Sequence, residues 1–364
     1  MPLSGNKGEW SEIYTLFKLL GEGVVYAGDE HLNQLQKLFY PIIMILRQEK
    51  EGSFNYELCD KNVIIQQAGD NEKKELLRIP CSDFLIEAEA LLKEIKENKG
   101  AFSLPMIEAF MKKIYCSSLK AKASDKTDIK IILHDQRTKI NSEMGFSIKS
   151  QLGGDSTLLN ASQATNFNFK IVGGKFSDED IDRINSLDTK HKVIDRVNAI
   201  KEKGGRLVFD TVDNKTFHDN LTMLDGHLPV IIAHLLLEQL NTGSSKLKEL
   251  VQIVSETNPL RFNSARAFSI YSYKVKNLLT SVALGLMPAK AWDGRYDANG
   301  GYMVVKENGD ILCYHFYDRN RFEDYLFSNV YLERSGTSRH NYATIIKDTD
   351  GTLSFKLNLQ VRLK

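Results

Sequence analysis

A mixed α/β fold, α+β in the way helices and strands are grouped, follows from three patterns in the 364 residues. Short β-rich apolar runs recur, as in Ile129, Ile131, Ile132 and Leu133. Alternation of period two recurs as well: Phe146 and Ile148 alternate with Ser147 and Lys149, and Phe167, Phe169 and Ile171 with Asn and Lys. Between them lie stripes at helical spacing, such as Ile13, Leu16, Phe17 and Leu20. With 42% apolar and 26% charged residues a buried core is readily supplied. The 48 basic and 47 acidic residues leave a net charge of +1, so any DNA-binding footprint has to be a local patch.

Taken in order, Glu9 to Leu20 reads as a helix stopped by Gly21 and Gly23, with Glu9 and Glu12 on one face beside the apolar stripe. Asp29 is placed to cap a second helix running to about Gln48, on the strength of Leu32, Leu35, Leu38, Phe39, Ile42, Ile43 and Leu46. Phe54 to Gln67 holds two short strands around a turn at Asp60-Lys61-Asn62. Pro80 and Ser82 announce a helix over Asp83 to Lys96, and Pro105 opens another through Tyr115. Lys120, Lys122, Lys126 and Lys130 then form a basic run that suits a solvated connector better than a DNA contact.

Beyond the two strands around residues 129–150, Ser156 is expected to cap a short helix through about Ala164, and Asn166 to Val172 is a strand. Helix follows from Ser177, strand at Leu207 to Phe209, and helices at Leu228 to Leu240 and Ala265 to Leu286. Tyr302 to Val305, Ile311 to Phe316, Ala343 to Ile346 and Leu353 to Val361 read as strands of a C-terminal sheet. Two polar loops there, Tyr317-Asp-Arg-Asn-Arg321 and Ser335-Gly-Thr-Ser-Arg-His-Asn341, carry donors suited to phosphates and base edges.

Cys59, Cys81, Cys116 and Cys313 are too widely spaced for a zinc site and read as buried reduced thiols of a cytoplasmic protein. No apolar run reaches ~18 residues and the N-terminus is polar from Pro2 onward, so no membrane segment and no signal peptide are expected.

The chemistry concentrates at Asp135, which closes the first strand, and Lys149 on the second. A carboxylate beside a lysine is how many nucleases place a divalent cation and a proton-handling group around one phosphodiester. Asp135 is expected as the metal ligand, with Lys149 orienting or deprotonating water or steadying the developing charge. Ser147 stands two before the lysine.

Longer strings make the pattern specific. Gly5-Asn-Lys-Gly-Glu-Trp-Ser-Glu-Ile-Tyr14, the segment Gly145 to Gly153 with Thr157-Leu-Leu-Asn-Ala161, and Phe316 to Phe327 resemble the HpaII-type restriction endonucleases. That resemblance covers nearly the whole chain and implies a PD-(D/E)XK nuclease core, a central mixed sheet flanked by helices. A nuclease region over 1–175 is then followed by a strand-rich DNA-recognition and dimerisation region over 176–364, with a soft boundary. It implies Mg²⁺-dependent cutting of double-stranded DNA at a short palindrome such as CCGG by a type II restriction enzyme. A homodimer and a cognate DNA methyltransferase in the same system come with it.

Residue by residue, the resemblance makes Asp135 and either Glu9 or Glu12 metal ligands, with Ser147 and Lys149 catalytic. In related nucleases with serine at that position, the missing acid comes from the helix after the lysine strand; here that segment offers the amide of Gln163. Arg339, His340 and Asn341, then Arg319 and Arg321, are the candidates for reading guanine. Three other readings fit the residues: a DNA-binding protein on a nuclease scaffold that has lost catalysis, a junction resolvase or repair nuclease, and, on composition alone, a structural or protein-interaction module.

Overall fold

The computed structural model describes residues 2–69, 74–120, 127–136, 139–334, 336–337 and 342–364. Arg339, His340 and Asn341 lie outside the described residues. The chain divides into two compact units: one of residues 1–156, 283–285 and 296–325, the other of 157–282, 286–295 and 326–364. The first unit thus ends before the soft 175/176 boundary and takes back two later segments.

Helix α1 (Lys7–Glu22) is defined at both ends by local chemistry. Asn6 accepts from the Glu9 amide at 3.1 Å while the Glu9 carboxylate accepts from the Asn6 amide at 2.9 Å, a reciprocal cap on two otherwise unpaired donors. Gly23, at φ +69°, ends the helix. Strands β1 (Val24–Gly28), β2 (Gln34–Glu49), β3 (Gly52–Cys59), β4 (Asn62–Gln67) and β5 (Glu75–Pro80) follow. Then come helices α2 (Cys81–Glu97) and α3 (Pro105–Lys113) and the antiparallel pair β6 (Ile129–Asp135) and β7 (Ile140–Ser150).

The expected helix from Asp29 to Gln48 is instead β2. Pro41 lies in its middle, where a helix would lose a backbone hydrogen bond and clash with the preceding turn. At Pro41 the strand changes partners: Gln34 to Pro41 pairs with β1, whereas Ile42 to Glu49 pairs with β6 and β3, with a register shift between Ile42 and Met44. Leucine and isoleucine at these positions satisfy either period, so proline is the arbiter.

The second unit runs through β8 (Ser156–Leu159), β9 (Asn166–Val172), α4 (Asp178–Asn185), α5 (Lys192–Glu202), β10 (Arg206–Val212), α6 (Lys215–Leu224), α7 (Leu228–Thr242), α8 (Leu247–Thr257) and most of α9 (Ala267–Leu284). Ser156 starts a strand and caps no helix; only a short 3-10 turn, Gln163–Thr165, follows. After β11 (Gly301–Val305), β12 (Ile311–His315) and α10 (Arg319–Asn329) come β13 (Val330–Leu332), β14 (Ile345–Lys347), β15 (Leu353–Asn358) and β16 (Val361–Leu363). Here β10-β9-β15-β14 and β13-β16-β8 form two small sheets.

In the first unit the sheet order is β1-β12-β11-β7-β6-β2-β3-β4-β5, with β1 also bonded to β2. The six strands β1, β12, β11, β7, β6 and β2 therefore close into a hydrogen-bonded ring. Strands β11 and β12 were expected in a C-terminal sheet with β14 and β15; they belong to this one, β11 lying parallel to β7. Two runs of five buried residues each explain this placement, because a strand covered on both faces needs a large sheet around it.

The core lies between this sheet and the helices. Trp10, Ile13, Phe17 and Leu20 of α1 are buried with Phe84 and Leu91 of α2, Phe110 of α3, and Ile131, Phe146 and Met303 of the sheet. Phe17, Phe84 and Phe110 meet edge to face, with centroids 5.3 to 6.2 Å apart. Among the described residues no single helix is long and apolar enough to cross a membrane. All four cysteines are free thiols, but only Cys116 and Cys313 are buried as expected; Cys59 is exposed and Cys81 partly so.

Candidate active site

The hairpin register decides which acid meets the lysine. Pairing runs from Ile129 opposite Phe146 to Asp135 opposite Ile140, so the beginning of β6 faces the end of β7. Asp135 is consequently at the hairpin tip. Nine residues of strand, ~30 Å at about 3.4 Å each, separate its partner Ile140 from Lys149. The assignment of Asp135 as the ligand beside Lys149 is thereby corrected: the acid that meets the lysine strand is Asp128, immediately before β6.

Asp128 is held by that strand. Its Oδ2 accepts from the Ser147 hydroxyl at 2.9 Å and from the Ile148 amide at 2.7 Å, while its own amide donates to the Phe146 carbonyl at 2.9 Å. Its other oxygen, Oδ1, makes no hydrogen bond among the described residues. Ser147, 4% exposed, is therefore in the site as a donor that orients the carboxylate. Asp128 and Lys130 also border a cavity of about 480 Å³ walled by Asn55, Glu143 and Asn299, so the acid is reachable from outside the sheet.

Lys149 shares the face of β7 with Ser147, as alternation requires. Its Nζ lies 5.0 Å from the ring centroid of the buried Tyr302, a residue of β11 that pairs with Ser147. The aromatic face offers a favourable quadrupole but no proton acceptor. Burial lowers the Lys149 pKa, and the negative charges of Asp128 and Glu12 oppose that fall.

Glu12 arrives from α1. Ser11 fixes the helix against β7: its hydroxyl lies 2.7 Å from that of Ser150 and donates to the Lys7 carbonyl at 2.7 Å. Burial raises the Glu12 carboxyl to about 8, the neighbouring Asp128 adding to the shift, and Lys120 and Arg47 act against it. Among the described residues Glu12 forms no hydrogen bond or ion pair. Glu9, the other glutamate candidate, has both oxygens engaged. One accepts from the Asn6 amide and the other lies 3.2 Å from the Lys120 ammonium; the backbone hydrogen bond is the main cause of its lowered pKa.

The remaining candidates lie elsewhere. Gln163 is an exposed residue of the 3-10 turn in the second unit. Arg319 and Arg321 occupy the first turn of α10, not a loop. Each is tied to an acid, Arg319 to Glu323 and Arg321 to Asp318, both at 2.6 Å, and each side chain is about half exposed. Sequence reasoning missed Asp128, Tyr302 and Lys120. The signal for Asp128 was available, because in any antiparallel hairpin the far end of one strand faces the near end of the other.

Asp128, Glu12 and Lys149 thus lie within electrostatic reach of one another, and Asp128 Oδ1, the Glu12 carboxyl and the Lys149 ammonium have no hydrogen-bond partner among the described residues. No group of three or more His, Cys, Asp or Glu side chains arranged for a metal occurs among the described residues. The model of the HpaII restriction endonuclease family matches residues 6–363. The chain belongs to that family. A type II restriction enzyme, HpaII, of Haemophilus parainfluenzae is 44% identical over 361 residues, 99% of this chain and 98% of the relative. No solved structure matches. Membership makes the chain a type II restriction endonuclease, a site-specific deoxyribonuclease.

Proposed function

We propose that the chain hydrolyses phosphodiester bonds in duplex DNA at a short palindrome such as CCGG, using Mg²⁺ held by Asp128 and Glu12. The observation that carries this reading is the meeting of Asp128 Oδ1, the Glu12 carboxylate and the Lys149 ammonium, none with a hydrogen-bond partner among the described residues. Mg²⁺ is commonly bound by one or two carboxylates, substrate phosphate and water, so this donor set fits it. Burial is the main cause that raises the Glu12 carboxyl, with the Asp128 charge adding to it, and a bound cation would favour the ionised form of both acids.

The bound cation supplies charge stabilisation and lowers the pKa of water. Asp128 orients through the Ser147 and Ile148 donors, which hold one oxygen and leave the other for coordination. Lys149, brought toward its neutral form by burial, takes or relays a proton near the attacking water, or in its charged form steadies the phosphate. Glu12 supplies the acid that Ser147 lacks, which supports a PD-(D/E)XK-type core with its second carboxylate donated by α1. Arg319 and Arg321, with Arg339, His340 and Asn341, are the proposed readers of guanine. A palindromic target calls for a symmetric dimer, and host DNA would be protected by a cognate methyltransferase.

A plasmid digest with Mg²⁺ and mapped fragment ends tests the reading. Asp128→Asn and Lys149→Ala should slow cutting by orders of magnitude while Asp135→Ala keeps it. Normal cutting by Lys149→Ala would refute the assignment.

A further inference from the structure

Residues 296–300, which lead into β11, are bonded to the rest of the first unit on several sides. The Asp297 and Ala298 amides both donate to the Leu284 carbonyl, at 2.8 and 3.2 Å, and the Asp297 carbonyl accepts from the Thr127 hydroxyl at 3.2 Å. The Gly300 amide donates to the Gly145 carbonyl at 2.8 Å. Thr127 immediately precedes Asp128, and Gly145 pairs with Lys130, so the segment is tied to both strands of the hairpin that carries the acid.

Ala298 is fully buried, whereas the residues on either side of it, Asp297 and Asn299, are exposed and border the cavity that Asp128 also lines. Asn299 Oδ1 accepts from the Gly145 amide at 2.9 Å. A backbone N–H needs an oxygen opposite it, which settles how the side-chain amide is turned. Its Nδ2 is left as a donor with no partner among the described residues. Asp297 spends its backbone groups on the anchor, and its carboxylate accepts no hydrogen bond among the described residues. A fixed donor and an acceptor thus stand two residues apart beside the cutting centre.

Such a pair matches the middle of a base-pair edge in the major groove, where guanine O6 accepts beside the cytosine N4 amino group, which donates. A T·A pair presents the same order, so the discrimination is against the reversed pairs, in which donor and acceptor are exchanged. A phosphate suits the place less well, because Asp128, Glu143 and Asp297 all border the cavity and the Lys130 ammonium is 4.0 Å from Glu143.

We propose that Asp297 and Asn299 are specificity-determining residues that read one G·C pair of the target, Asn299 Nδ2 donating to guanine O6 and the Asp297 carboxylate accepting from the cytosine N4 amino group. This rests on the cutting centre assigned above and adds to the arginines proposed as guanine readers. Because the segment is bonded to Thr127 and Gly145, the base reader and Asp128 share one frame, and recognition of this pair fixes the distance to the bond cut.

Cleavage by the full chain, with Mg²⁺, of duplex oligonucleotides in which each base pair of the target is reversed in turn tests this. In Asp297→Ala the preference, in kcat/KM, for the target over one particular reversed site should fall about tenfold or more, while the other positions keep their discrimination. Asn299→Asp retains an oxygen for the Gly145 amide and loses the donor, so it should relax that same position with an unchanged Tm. Equal slowing or loss of cutting on every site in these two variants, or relaxation at two different positions, overturns the proposal alone. Normal cleavage by Asp128→Asn would instead overturn the cutting centre on which it rests.

Discussion

Lys149 and Asp128 carry the most exacting predictions at the residue scale. Replacing either, Lys149→Ala or Asp128→Asn, should slow plasmid cleavage by roughly 10²–10⁴-fold, the usual loss when a proton-handling or charge-stabilising group is removed. Asp135→Ala, at the hairpin tip, should cut at the wild-type rate. Glu12 sets a pH dependence. Its carboxyl is raised in the fold from 4.5 to about 8, so between those values the folded protein holds a proton that the unfolded chain releases. Stability therefore falls as pH rises through that window. In EDTA, Glu12→Gln should melt above wild type at pH 8 to 9 by about 1–3 °C and equal it at pH 4.5. The shared face of Ser147 and Lys149, and that of Glu9 and Glu12, were legible from alternation and helical spacing. Asp128 stands one residue before the apolar run, and the signal that points to it is antiparallel pairing, which brings the beginning of that run, not its end, beside the lysine strand.

Elements are where the sequence was most and least informative. Helices with explicit punctuation were read to within a few residues: α2 after Pro80, α3 from Pro105 and α4 behind Ser177. The failures were β2 and β8, segments whose leucines fit two periods and whose partners lie far away in sequence. The continuous apolar runs of β11 and β12 suit strands covered on both faces, but nothing local names the strands they join. Two substitutions probe the supports of the site. Asn6→Ala removes the α1 cap, and should cost about 1 kcal/mol by denaturant unfolding while leaving cleavage measurable. Gly301 has φ +107°, and a Cβ there would lie 2.1 Å from the Tyr314 carbonyl oxygen. Gly301→Ala should therefore force β11 from β12 and cost more than about 3 kcal/mol, read as a fall in Tm.

At the scale of the whole molecule, the first unit is discontinuous in sequence. A fragment of residues 1–175 keeps Glu12, Asp128 and Lys149 but lacks β11 and β12, so β7 loses its outer neighbour and Lys149 the ring of Tyr302. Such a fragment should aggregate or be cleaved rapidly by trypsin, whereas the full chain resists; a protease-resistant, monomeric fragment would contradict this description of the fold.

The same ring has a bearing on biosynthesis. Residues 301–315 leave the ribosome only after most of the chain, yet they close the sheet that the lysine strand sits in. A nascent or prematurely terminated polypeptide would thus carry the cutting residues in an unfinished frame. Chains that stop before residue 301 are expected to leave plasmid DNA uncut in a cell-free translation assay.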